Sequence, residues 1–141
     1  MARVYREAPL NSVWEGTANM MCMDVRRAMI RDPRTIDALL DEVRPLLKQD
    51  ARFDALVQAA ERLMREAVDD EFLARPMTEA VARLLQAAEL MRYSTAEVAS
   101  TFLATRCAAA AGAWGSMFGT LGAVVDKATA DRIVERANVV R

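Results

Sequence analysis

Histidine is missing from all 141 residues. That absence removes the Ser-His-Asp and Cys-His nucleophile systems together. Nearly every zinc site goes with it, because two separated cysteines, Cys22 and Cys107, cannot supply four ligands. No metal is expected. Two cysteines within apolar, helix-like sequence read as buried free thiols in a reducing cytoplasm, not as a disulfide framework. Apolar runs of about 18 residues are also lacking, so no membrane-spanning helix is expected. The N-terminus lacks the basic-then-apolar layout of a signal peptide. Only 5 glycines and 4 prolines punctuate the chain, and aromatics make up 6%. Alternating β-branched and aromatic runs are absent apart from the short Val139-Val140 tail, which argues against a sheet. Neither sign of charge dominates: 19 basic side chains face 20 acidic ones. Such a balance gives a polyanion little to bind.

What is present is helix-forming. Hydrophobic residues reach 53%, led by Ala and Leu among abundant Arg and Glu. Residues 1–16 read as an extended approach and turn, since Pro9 biases Ala8 away from helical angles and Gly16 supplies a joint. Thr17 is placed to cap a helix running to about Ile30. Its main apolar face is Met21, Val25, Ala28 and Met29, and Met20, Met23 and Ile30 add a second. So broad an apolar circumference predicts packing on several sides. Pro33 opens a second helix with the stripe Ile36, Leu40, Val43 and Leu47, and Pro45 should kink or break it. A third spans about Ala51 to Val68, with Phe53, Leu56, Val57, Ala60, Leu63, Met64 and Ala67 in 3.6-residue period. After the acidic break Asp69-Asp70-Glu71, a fourth helix follows Pro76 and turns Met77, Val81, Leu84, Ala88 and Met91 inward. Ser94 to Glu97 reads as a capping box for a fifth helix through Val98, Phe102 and Thr105. Gly112 to Gly122 is punctuated by glycine, and Thr129 to Asn138 is a last short helix. Residues 17–111 should therefore be almost wholly helical, with breaks near 31–33, 49–51, 69–75 and 92–95. The expected fold is all-α, a helical bundle without a sheet.

One segment is more specific. Tyr5-Arg6-Glu7-Ala8-Pro9-Leu10-Asn11-Ser12-Val13-Trp14-Glu15-Gly16-Thr17-Ala18-Asn19 resembles the acyl-CoA dehydrogenase pattern: Arg-Asp-Ala, a short spacer, an aromatic residue, then Glu-Gly-Thr-x-Gln. Arg6-Glu7-Ala8, Trp14 and Glu15-Gly16-Thr17 match it. Asn19 stands where the family usually has Gln. The wording through Asp24, and Trp114 to Leu121 near the end, resembles the adaptive-response (AidB-type) branch of flavoproteins. That branch carries an extension after the Glu-Gly-Thr helix. The resemblance thus implies the C-terminal part of a longer family protein. Residues 1–31 would end the dehydrogenase bundle and hold the catalytic loop, and 32–141 would form the extension, all within one helical domain.

On that resemblance Glu15 is the catalytic base for α,β-dehydrogenation of an acyl-CoA thioester. FAD accepts the hydride, and Trp14 and Glu15 meet the substrate. Gly16, Thr17 and Asn19 contact the FAD, and the Glu15 peptide N–H binds the thioester oxygen. Burial against Trp14 would raise the Glu15 pKa toward neutrality by desolvation, as suits a base working near pH 7. Read without the motif, a glutamate at a helix start is ordinarily there because an anion suits the positive end of the macrodipole. The Arg6–Glu7 pair reads as structural, and Trp114 as an aromatic anchor in a helix corner. The family also implies a homo-oligomer, a tetramer. The missing family domains imply that this piece alone neither holds FAD nor turns over. Two other functions compete. The adaptive-response branch is associated with DNA protection through its C-terminal region, yet residues 32–141 carry 14 basic and 17 acidic side chains, net −3. Only Arg26, Arg27, Arg31 and Arg34 approach a cluster, where phosphate tracking needs clustered cations. The last reading is a non-catalytic oligomerisation module built on the apolar face of Met20 to Ile30.

Overall fold

The computed structural model describes residues 2–12, 17–107 and 125–137. Among them every regular element is helical and no strand occurs. In chain order the helices are α1 (Ala2–Glu7), α2 (Ala18–Arg31), α3 (Arg34–Val43), α4 (Ala51–Asp69), α5 (Ala74–Tyr93), α6 (Ala96–Phe102) and α7 (Lys127–Ala137). The expected all-α bundle is what forms.

The long helices α4 and α5 are the centre, joined through one 3-10 turn at Glu71–Leu73 and packed on each other. All seven residues of the α4 stripe, Phe53 through Ala67, are buried as their spacing predicts. They meet Met77, Ala80, Leu84, Ala87 and Ala88 of α5 in one core cluster. Its alanines let the helices approach closely, and Phe53, Met64 and Met77 fill the space between them. Asp50 starts α4 by accepting the Arg52 N–H at 2.8 Å, the ordinary service of an N-cap carboxylate. α5 begins at Ala74, two residues ahead of Pro76. A proline in the first turn costs nothing there, because those N–H groups have no intrahelical partner.

Several expectations need correction. Residues 2–12 are not extended: α1 runs into a 3-10 segment at Ala8–Ser12. Pro9 lies at the start of that segment, where its missing N–H is not needed, and its bias on Ala8 is a preference only. Glu7 pairs with Arg3 at 2.9 Å, one helical turn away, and not with Arg6. Pro45 does end α3, but by tightening the chain into a 3-10 turn at Arg44–Leu46. Three residues per turn rotate the stripe, so Leu46 is buried (6% exposed) and Leu47 is not (36%). The capping box does not close. Thr95 is the N-cap of α6 and accepts the Val98 N–H, Ser94 ends α5 and accepts from Arg136, and Glu97 turns to Arg132. α6 continues as a π-helical turn at Leu103–Cys107, with Thr105 buried and its hydroxyl donating to the Thr101 carbonyl at 2.7 Å.

The largest correction concerns α2. It packs on α5, α4 and α3, but buries only Cys22 and Met29, with Val25 partly covered. Met20 and Ile30 are 48% and 42% exposed, and Met21 and Ala28 are exposed too. Among the described residues this helix is covered on one side, not several.

Candidate functional site

The segment that carries the motif leads into α2. Trp14, Glu15 and Gly16 lie outside the described residues, as do Trp114 and the stretch from Gly112 to Gly122. Thr17 is the N-cap of α2, with extended backbone angles (φ −70°, ψ 156°) and its carbonyl accepting the Met21 N–H at 3.2 Å. The cap position is therefore as expected. Its hydroxyl makes no capping hydrogen bond, however. No acidic residue occupies the first turn of α2, so the positive end of this 14-residue helix is not neutralised from within.

Asn19 follows in that first turn, exposed, and its amide is engaged. Arg75 of α5 donates from Nη1 to Asn19 Oδ1 at 2.5 Å, across 56 positions of sequence. Beside this contact lies an open cleft of about 340 Å³, lined from α2 by Asn19, Cys22 and Met23 and from the opposite corner by Glu71, Phe72, Ala74 and Arg75. Phe72 stands 87% exposed on its rim.

A second arginine anchors the same helix. Arg26 Nε donates to the Ala67 carbonyl at 2.6 Å and Nη2 to the Val68 carbonyl at 2.9 Å. These are last-turn carbonyls of α4, which lack intrahelical partners. α4 has no basic residue in its own last turn, so α2 supplies the cation that suits its negative end. Arg92 of α5 serves α3 likewise, donating to the Glu42 carbonyl and pairing with the Glu42 and Glu89 carboxylates at 2.7 and 3.3 Å. In the sequence Arg26 stands out only as one of four arginines that approach a cluster, and nothing there singles out Arg75. The signal that existed is the lack of a basic residue in the last turns of α3 and α4, and it does not say which arginine serves them.

Asp50 and Arg52, at the start of α4, are structural. Arg52 pairs with Asp50 at 2.6 Å and reaches Ser100 of α6 through its carbonyl and its hydroxyl. The guanidinium hydrogen bond holds the Asp50 carboxyl below its ordinary range. Both cysteines are free, Cys22 buried and Cys107 half-buried. Burial pushes the Cys107 thiol up to about 11, against the pull of Arg83 and Arg52. At neutral pH it is a thiol and a poor nucleophile. Among the described residues no group of His, Cys, Asp and Glu is placed to hold a metal, and no helix is long and apolar enough to cross a membrane.

Comparison with known proteins adds one relative. The chain is 30% identical over 102 residues to the Escherichia coli (strain K12) protein named "Putative acyl-CoA dehydrogenase AidB". The match covers 72% of this chain and 18% of that protein, so the chain spans less than a fifth of its relative's length. No family model matches, and no solved structure does. This similarity supports a relationship of the acyl-CoA dehydrogenase type.

Proposed function

We propose that the chain is the C-terminal helical part of an FAD-dependent oxidoreductase that introduces an α,β double bond into an acyl-CoA thioester, with Glu15 as base. The observation that carries this reading is the entry into α2. The motif runs directly into a helix whose N-cap is Thr17 and whose first turn presents Asn19.

The donor set suits the cofactor. FAD is rich in acceptors, in its ring carbonyls, ring nitrogens and pyrophosphate oxygens. Thr17 offers a hydroxyl not spent on capping, Asn19 an amide, and α2 the unneutralised positive end of a helix. When bound, FAD supplies the acceptor for the hydride that leaves Cβ. The Glu15 carboxylate takes the proton from Cα, and the electron pair of that C–H bond becomes the new double bond. A peptide N–H at Glu15 stabilises the negative charge that develops on the thioester oxygen. Trp14, next to the base in sequence, would shield it from water, and Gly16, with no side chain, would let the backbone approach the flavin closely. Residues 32–141, on this reading, are the extension that braces α2.

The competing nucleic-acid reading is weaker. Of its four arginines, Arg26 is turned inward to carbonyls, and Arg27 and Arg34 each stand beside a carboxylate, Asp24 and Asp32.

The decisive experiment is Glu15→Gln in the full-length flavoprotein. FAD content and acyl-CoA binding should persist, while anaerobic bleaching of the oxidised flavin by an acyl-CoA slows by at least about 100-fold, the scale of a lost general base. Equal rates in the two proteins put the base elsewhere. Loss of FAD from the variant makes Glu15 structural.

A further inference from the structure

We propose that Arg75 is the positioning residue for the cofactor contact of Asn19, fixing its amide so that the NH₂ and not the oxygen faces the flavin. This rests on the reading above, in which Asn19 meets FAD. Nothing in the motif itself points to residue 75.

An asparagine amide can be turned either way, and its neighbours decide which. A guanidinium has donors and no acceptor. Arg75, donating from Nη1 at 2.5 Å, therefore holds Asn19 with its oxygen inward. The group left to offer a ligand is the NH₂, which matches the acceptor-rich surface of a flavin dinucleotide. Turned the other way, the side chain would set oxygen against oxygen.

The contact is held from a second point. Asn19 and Arg26 are seven residues apart, two turns or about 10 Å along one face of α2. Arg26 grips Ala67 and Val68, and Arg75 reaches Asn19 from just beyond the Glu71–Leu73 turn. Both anchors belong to the single corner between α4 and α5. Two anchors two turns apart set the rotation of α2 about its axis, which one could not. The α4–α5 corner thus reaches the cofactor end of α2 through one side chain, and Arg75 delivers that constraint.

The test is FAD affinity of the full-length apoprotein, read by quenching of flavin fluorescence, with thermal melts in parallel. Arg75→Met should weaken FAD binding about 5- to 10-fold, the scale of one oriented polar contact. Arg75→Lys, also a donor only, should stay within about 3-fold of wild type. Asn19→Asp keeps an acceptor for Arg75 but has no donor, so it should lose FAD as Asn19→Ala does. In an Asn19→Ala background Arg75→Met should cost nothing more. The proposal is overturned if Asn19→Ala weakens FAD and Arg75→Met does not, or if the two losses simply add. Wild-type affinity in Asn19→Asp overturns it as well. Undiminished affinity in Asn19→Ala sinks the cofactor role of Asn19 and the proposal with it, whereas a wild-type protein that takes up no FAD sinks the functional reading itself. Should Arg75→Met not fold, Arg75→Lys and Asn19→Asp still decide.

Discussion

Helices α4 and α2 are both rich in apolar residues, yet they differ in what the chain does with them. Each of the seven stripe residues of α4 is buried. α2 carries nine apolar residues and buries two of them, Cys22 and Met29. The stripe of α4 is confined to one face, and α5 returns immediately to cover it. On α2 the apolar residues run around the circumference, and the described helices cover one side. A one-sided stripe names its own buried face. An all-round pattern says only that more than one surface wants a partner, and the partner need not lie in the same chain.

The sharpest way to break this comparison is to cut a large side chain from each helix. Phe53 is fully buried (0% exposed) at the centre of the cluster. Phe53→Ala should cost about 3–5 kcal/mol, lost transfer energy plus the cavity left by incomplete collapse. Denaturant melts measure it, through a lower midpoint at unchanged slope. A cost below about 1 kcal/mol would mean that the α4–α5 centre is loosely packed and that its regular stripe misleads.

The difference also explains what could be read from sequence. The α4 stripe, the Pro45 stop and the breaks around α2, α3 and α5 follow from local rules: helical period, proline's missing N–H, and polar residues at helix starts. Leu46 exchanging with Leu47 was invisible, because a switch from 3.6 to 3.0 residues per turn leaves no trace in composition. Thr95 replacing Ser94 as the cap was equally hidden, since both carry the same hydroxyl. At the candidate site, the position of Thr17 was legible and the role of Asn19 rests on motif alone. The arginines were not legible at all. Arg26 reads only as part of a loose basic cluster and Arg75 and Arg92 carry no sequence signal, yet each donates to a group 41 to 56 residues away. Only the folded path shows which carbonyl or amide each one serves.

Asp50 sharpens the comparison at the start of α4, with a middle-sized effect. Its carboxylate caps the helix and grips Arg52, which in turn holds Ser100 of α6. Asp50→Ala should cost about 1–2 kcal/mol, and Asp50→Asn less, because an amide oxygen still caps. The two differ from wild type in acid. The pKa of Asp50 is lowered in the fold from its ordinary value of 3.8, first by the Arg52 hydrogen bond. The folded state thus binds this proton less readily than the unfolded chain does. Its stabilisation is present above the unfolded pKa and is lost as pH falls through the lowered one. Melts from pH 6 down to about pH 2 should therefore converge for wild type and Asp50→Asn. A constant gap over that window would assign the effect to capping geometry and not to the ion pair.

The smallest expected effect bears on α2 itself. Met20 is 48% exposed and Ile30 42%, so little apolar area is lost from the folded chain when either is made polar. Met20→Ser and Ile30→Ser should each change stability by no more than about 0.5 kcal/mol, the range for surface substitutions. Helix propensity pulls slightly against Met20→Ser, serine being a weaker helix former than methionine, and is neutral for Ile30→Ser, serine being about equal to isoleucine. That residue of propensity gives Met20→Ser the larger loss of the two. The measurement is a thermal melt at two protein concentrations, about tenfold apart. If α2 is covered on one side only, the small loss is the same at both concentrations. A loss above about 1 kcal/mol that grows with concentration would mean that the outer face of α2 is buried in solution against another molecule. The contrast with α4 would then be one of partner, and not of packing.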